Sequence, residues 1–364
     1  MIELTEIRKI KFRNGFNPFP NGKDKIRIGN HYPRTFEMED NPQRDVWKIL
    51  SYIDSTRSYE EIVRDVVSDY PEIKIDFVKN LLETLWKNGL LENSDEVIPV
   101  GITKSDKERF SRNVSYFSFI DTIPGRTGYD IQLLIKKARV TVVGMGGVGS
   151  SVAASLIAMG VGNLHIVDFD KVELSNLTRQ ILFSEEDIGM SKVLIAARKL
   201  SKINAGANIT YEETHITSSQ SFDKWMQNSD VLILSADTPT DIYSWCNESA
   251  MRWRRTWFHG GYDGPRIVCE GFVPYKTGCW ECKQKLINKL NDRDFLFKEL
   301  DSTNSVIAPT AIISAQFLAL ETLNYITGIP SNTLGKLYVQ NALSYDDTMI
   351  TDVPIDSNCV LCNT

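Results

Sequence analysis

The chain contains no run of about 18 apolar residues, so no membrane-spanning helix is expected, and its opening stretch MIELTEIRKIKFRNGF lacks the apolar segment of a signal peptide. We therefore expect a cytoplasmic protein with no membrane partner. It also lacks an excess of positive charge. Lys+Arg 41 against Asp+Glu 47 leaves −6, so no global basic field draws nucleic acid. Internal repeats and low-complexity tracts are missing, which excludes a solenoid. The four histidines are scattered, and no His-based metal site or catalytic triad emerges from them. Only six cysteines occur, and in a reducing compartment they point to metal binding or catalysis before disulfides. What remains is a globular composition, 42% apolar and 24% charged over 364 residues, enough for two or three domains.

Residues 1–100 form a first unit. Short β-like segments at 25–28 and 34–38 precede helix-like stretches. Ser58 and Glu61 have the spacing of a capping box, which opens a helix carrying Ile62, Val66 and Val67. Phe77, Leu81 and Leu85, with Val78 and Leu82, mark a second amphipathic helix that Gly89 stops before Leu90 and Leu91. Helices, a glycine stop and a short apolar strand describe a winged-helix-like module. A DNA-reading winged helix would be basic along its reading helix, yet Glu72, Asp76 and Glu83 here offset Lys74, Lys79 and Lys87, so nucleic acid is not expected. The segments VWKILSYIDSTRSYEEIV and LLETLWKNGLL resemble the PqqD-like peptide-binding module of enzymes that modify ribosomally made peptides. The resemblance implies recognition of a precursor peptide. Residues 101–130 read as a linker, and residues 131–364 as the second domain.

An α/β signal begins at Val140. A short apolar strand to Val143 turns through Gly144, Gly146, Gly147 and Gly149 into a helix, and Leu164 to Val167 forms the next strand. Further strands at 209–214, 231–235 and 256–258 alternate with helices at 191–203 and 240–253, which predicts a Rossmann-like, doubly wound, mostly parallel sheet. An alanine-rich helix at 306–327 and strand-like residues 336–349 follow. The glycines let the backbone turn tightly and approach a phosphate, and Asp168 stands where an acid accepts hydrogen bonds from ribose hydroxyls. Alone, this fingerprint suits NAD or FAD as well as ATP. Asp170, Asn176, Arg179 and Lys192 then place polar and cationic groups beyond the second strand. In-line attack at an α-phosphate needs such cations on its pyrophosphate leaving group.

With these motifs the chain, from about Arg109 to its end, resembles the adenylating family that includes ThiF, MoeB and the ubiquitin-activating enzymes. The resemblance implies ATP bound at the glycine loop, Asp168 on the ribose, and Asn176, Arg179 and Lys192 around the phosphates. It implies Asp237 on Mg²⁺. Arg109-x-x-Arg112 matches a motif whose second arginine reaches the neighbouring subunit's site, which implies a homodimer with Arg112 acting in trans.

Cys279 and Cys282, and Cys359 and Cys362, form two Cys-x-x-Cys pairs suited to a tetrahedral Zn²⁺ with no open position, hence a structural metal. Either pair alone could serve as a redox dithiol. Cys246 falls in a helix pattern and Cys269 in an alternating strand, and both read as core residues. The polar stretch 288–304, where relatives carry a crossover loop, holds no cysteine, which speaks against thioester transfer.

The combination resembles the branch of the family that matures peptide antibiotics of the microcin C and pantocin A types. We expect ATP-dependent adenylylation of a carboxylate on a ribosomally made precursor peptide, with glutamate side-chain activation and condensation favoured over C-terminal nucleotidylation. Adenylation of a ubiquitin-like sulfur carrier and a nucleotide-gated regulator are the alternatives.

Overall fold

A computed structural model describes residues 3–29, 35–95, 97–294 and 305–363, with side chains to 290 and from 305. The chain divides into two compact units, Met1–Leu133 and Leu134–Thr364.

In the first unit β1 (Ile10–Phe12) pairs antiparallel with β5 (Leu91–Asn93), while β2 (Pro18–Pro20), β3 (Lys25–Ile28) and β4 (Phe36–Glu39) form a separate antiparallel sheet. Three helices lie between β4 and β5 in the chain: α1 (Asp45–Ser51), α2 (Tyr59–Asp69) and α3 (Ile75–Lys87). The α2 capping box forms as spaced, with Ser58 N donating to Glu61 Oε2 at 2.8 Å and Glu61 N to Ser58 Oγ at 3.3 Å. On α3, Val78, Leu82 and Leu85 face the core, whereas Phe77 is 44% exposed because it sits at the flank of that stripe. Gly89 ends α3 at φ +68°, where a Cβ would lie 2.4 Å from Thr122 O, so both the turn and the close approach require glycine. The strand expected at 34–38 begins at Phe36, and its first residue, Arg34, falls outside the described residues.

Residues 101–130, read above as a linker, contain α4 (Lys104–Arg109), α5 (Ser111–Ile120) and the start of α6 (Gly128–Lys137). They tie back to β1 through a buried arginine: Arg13 donates to the carbonyls of Asp121 at 2.5 Å and Arg126 at 3.2 Å.

Among the described residues, the second unit holds an eight-stranded sheet. Its elements are β6 (Arg139–Val143), α7 (Gly147–Ala158), β7 (Asn163–Asp168), α8 (Lys192–Ile203), β8 (Asn208–Glu213), α9 (Asp223–Asn228), β9 (Val231–Leu234), α10 (Ile242–Trp253), β10 (Trp257–Asp263), β11 (Arg266–Phe272), α11 (Trp280–Asp294), α12 (Ala308–Thr327), β12 (Lys336–Asn341) and β13 (Thr348–Asp352). The spatial order is β13-β12-β11-β10-β9-β6-β7-β8. From β8 to β10 neighbours run parallel, and from β10 to β13 antiparallel. The region read as strand-like over 336–349 is therefore an antiparallel hairpin. Buried on both faces, β9 is wholly apolar, as a central parallel strand must be. On α7 nine of twelve residues are buried, because α12 packs against it on one side and the sheet lies on the other.

The chain leaves β6 for β7 and β8 on one side, then crosses back to β9 and β10 on the other. That reversal opens a crevice at the carboxyl ends of β6 and β9, where open α/β sheets bind their ligands. No described helix is long and apolar enough to cross a membrane.

Candidate active site

The crevice is a cavity of about 990 Å³, at the upper end of the ~300–1,000 Å³ range of ligand clefts. Its floor is the turn from β6 into α7. Gly144 has φ +92° and a Cβ there would lie 2.7 Å from Ala236 N, while a Cβ on Gly149 would lie 1.8 Å from Gly144 O. Glycine at both positions lets the loop fold against β9 and aims the first amides of α7 at the cavity, a ready anion site.

Asp168 ends β7 and fastens this loop. Its Oδ2 accepts from Met145 N at 2.6 Å and its Oδ1 from Asp170 N at 2.7 Å, so the carboxylate is oriented before any ligand arrives. Lys192 opens α8 with its side chain 6% exposed, and its Nζ donates to Asp170 Oδ2 at 2.8 Å. Asn176 sits in a 3₁₀ turn, Leu174–Thr178, and accepts from Glu173 N at 3.2 Å. Arg179 follows that turn; Nη1 donates to Ser175 O at 3.3 Å, whereas Nε is buried with no partner. Burial pushes the Tyr262 phenol upward, against the pull of Arg179. Asp237, three residues beyond β9, is exposed on the cavity wall with Thr238 Oγ1 3.3 Å from its Oδ1.

Gly144, Gly146, Gly147, Asp168, Asp170, Asn176, Arg179, Lys192 and Asp237 thus line one cavity. Gly149 supports it from behind. Arg112 belongs to the first unit, exposed on α5. Further residues line the cavity, of which Phe169 and Tyr243 carried no sequence signal. Phe169 and His215 stack at 4.0 Å, and Gln180, 2% exposed, has a buried Oε1 without a partner. Tyr243 and His259 line the β10 side.

Away from the cavity, the four cysteines converge. Sγ atoms of Cys279 and Cys359 lie 3.6 Å apart and those of Cys282 and Cys362 3.7 Å, with all four within 4.8 Å of one another. A Zn–S bond of about 2.3 Å places tetrahedral sulfurs about 3.8 Å apart, so the donor set fits zinc. Asp356 N points at Cys282 Sγ from 3.3 Å, an outer hydrogen bond of the kind that orients metal thiolates. At Gly278 a Cβ would lie 2.5 Å from Pro354 O, so glycine is what lets the two cysteine-bearing segments meet. Cys246 and Cys269 are fully buried, and burial pushes both thiols well above their ordinary range. No cysteine is among the described residues lining the cavity. The stretch 288–304 lies largely outside the described residues.

The family model described as ThiF family matches residues 120–362. Among curated proteins the chain is similar to ubiquitin-like modifier-activating enzyme 5 of Aedes aegypti, 31% identical over 215 residues covering 55% of this chain and 54% of that protein. The same enzyme of Drosophila melanogaster is 30% identical over 224 residues, 58% of this chain and 54% of that protein. The chain therefore spans about half the length of these relatives. Among solved structures it is similar to E. coli MccB with AMPCPP and MccA, at a TM-score of 0.74 and 23% identity over 97% of this chain and 99% of that chain. E. coli MccB with ATP gives a TM-score of 0.75 and 22% identity over the same shares. PaaA gives 0.67 and 20% identity over 94% of this chain and 99% of that chain. At these identities the likeness is one of fold.

Proposed function

Because the chain belongs to the ThiF family, we propose that it uses MgATP to adenylylate a carboxylate on a ribosomally made precursor peptide. The observation that carries the reading is the convergence of the glycine loop, Asp168, Asn176, Arg179, Lys192 and Asp237 on one cavity at the switch point of the sheet. The α7 amides, Arg179 and Lys192 bind and orient the phosphates, and the two cations stabilise charge on the departing pyrophosphate. Asp170 holds Lys192 until the polyphosphate competes for it. Asp237 is the carboxylate suited to Mg²⁺, which neutralises phosphate charge and keeps the α-phosphate electrophilic. The peptide carboxylate oxygen then bonds to the α-phosphorus as the bond to pyrophosphate breaks.

A peptide substrate is favoured by the fold likeness, which extends over nearly the whole chain, first unit included, to a protein crystallised with MccA. In this reading residues 1–100 are a winged-helix-like module that grips the peptide. Arg112 completes the partner's site in a cytoplasmic homodimer, and activity returning when Arg112→Ala and Asp237→Ala chains are mixed tests that arrangement. No cysteine is among the described residues lining the cavity, which favours direct attack on the adenylate in this reading. We favour activation of glutamate side chains followed by condensation, since a leader-gripping module suits an internal site.

Mass spectrometry of the peptide encoded beside the gene, incubated with enzyme and MgATP while pyrophosphate is followed, tests this. Pyrophosphate with loss of water, or of water and carbon dioxide, supports condensation. An AMP-sized gain supports C-terminal nucleotidylation instead. No pyrophosphate with any neighbouring peptide overturns the peptide reading and turns attention to a ubiquitin-like carrier, the substrate class suggested by the name of the curated relatives.

A further inference from the structure

Behind the β10 side of the cavity lies a buried polar cluster to which the adenylation reading gives no role. His259 and Gly261 lie on one face of β10, two residues apart, and both line the cavity. Since Gly261 has no side chain, the space beside His259 Nε2 stays open; a Cβ there would stand 3.7 Å from that nitrogen. The ring is held edge-to-face by Tyr243, at 4.9 Å and 83°, and by Trp280, at 5.7 Å and 81°. Behind it, on β11, Glu270 is 1% exposed with Oε2 3.5 Å from His259 Nδ1. Lys283 Nζ donates to the same oxygen at 2.8 Å. A carboxylate this deep, with Oε1 lacking any partner, is costly unless its charge is used. Burial alone would raise the Glu270 carboxyl, but Lys283 and His259 hold it below the usual carboxylate range. His259 Nδ1 is itself buried without a hydrogen-bond partner, and the acceptor facing it, at 3.5 Å, is this carboxylate.

We propose that His259, with Nδ1 turned to Glu270 and Nε2 to the cavity, accepts the proton from the peptide nucleophile that attacks the acyl adenylate. This rests on the adenylation reading. The attacking atom bonds to the acyl carbon, the bond from that carbon to the AMP oxygen breaks, AMP departs, and the nucleophile's proton passes to Nε2. The strand order fits the task. The cavity runs along the carboxyl edge from Asp168 on β7, past the glycine loop after β6 and Asp237 after β9, to His259 on β10. His259 therefore lies beyond Asp237, on the far side from the nucleotide end. Glu270 acts as a positioning residue that fixes the tautomer.

The test compares wild type, His259→Gln and Glu270→Gln with MgATP and the peptide encoded beside the gene. Peptide-dependent ATP–pyrophosphate exchange should survive in His259→Gln, while product formation falls by roughly 100-fold. Hydroxylamine, which attacks as a free base, should restore AMP release and leave a peptide hydroxamate. Product formed at the wild-type rate, or exchange lost in step with product, overturns the proposal. In parallel, ¹⁵N NMR of the histidine rings, assigned with His259→Gln, should show His259 protonated at Nδ1 and bare at Nε2, with the pattern altered in Glu270→Gln. A proton on Nε2 overturns the proposal even if no peptide is turned over. Absence of pyrophosphate with the wild type instead overturns the adenylation reading.

Discussion

Lys192 Nζ donates to Asp170 Oδ2 at 2.8 Å, pairing a lysine side chain 6% exposed with a carboxylate 47% exposed. The lysine is thus stored at the cavity wall by a partner that water can readily satisfy. Lys192→Ala should lower kcat/KM for ATP about 100-fold or more, the scale of losing one donor to a transition-state anion. It should cost little stability, because Asp170 rehydrates. Steady-state pyrophosphate release and a thermal melt check both parts; an unchanged kcat/KM removes Lys192 from the phosphate site.

Glycine 149 and glycine 146 should respond differently to alanine. At Gly149 the new Cβ meets a carbonyl oxygen at 1.8 Å, so the loop must move and Gly149→Ala should lose about 3 kcal/mol or more of stability. At Gly146 the nearest atom is Gln180 Nε2 at 3.9 Å, and Gly146→Ala should stay within about 1 kcal/mol of wild type while crowding the phosphates. Denaturant unfolding beside ATP binding separates the two; equal stability losses would contradict the loop geometry.

Asp237→Asn should lower pyrophosphate release about 100-fold or more with no change in melting temperature, since the residue is exposed and removes no buried partner. Titrating magnesium against both proteins provides the check. An unshifted magnesium dependence would assign the metal elsewhere.

One zinc per chain is expected by elemental analysis. Cys279→Ser, or a strong chelator, should lower the melting temperature, because the four thiolates join α11 to the chain end beyond β13. Metal-free protein of unaltered stability would rule out a structural zinc.

Asp187 supplies a pH signature in the second unit. Burial would raise its carboxyl, but Lys199, Ser184 N and Ser184 Oγ together hold it below the ordinary range. A depressed carboxyl stabilises the fold fully above its unfolded value of about 3.9, and that contribution fades as pH falls through the folded value. The stability gap between wild type and Asp187→Asn, measured by urea unfolding from pH 6 to pH 3, should therefore narrow below about pH 4.

Local chemistry was legible because its cause lies within a few residues. The Ser58–Glu61 box, the stop at Gly89 and the turn at Gly144 follow from hydrogen-bond reach and backbone sterics, which spacing alone reveals. The parallel sheet was equally readable, since apolar runs of strand length alternated with helical ones. Phe77 shows where periodicity gives out: it marks a stripe but not which flank of the stripe meets the core. Tertiary structure alone decided the pairings between distant residues. His259, Glu270 and Lys283 lie on β10, β11 and α11. In the sequence only His259 stands out, before Gly260 and Gly261 where it could line a cleft; nothing marks Glu270 or Lys283, and only antiparallel pairing of β10 with β11 sets His259 opposite Glu270. Residue types and local turns are properties of the chain, whereas a buried charge takes its meaning from whatever the fold packs around it.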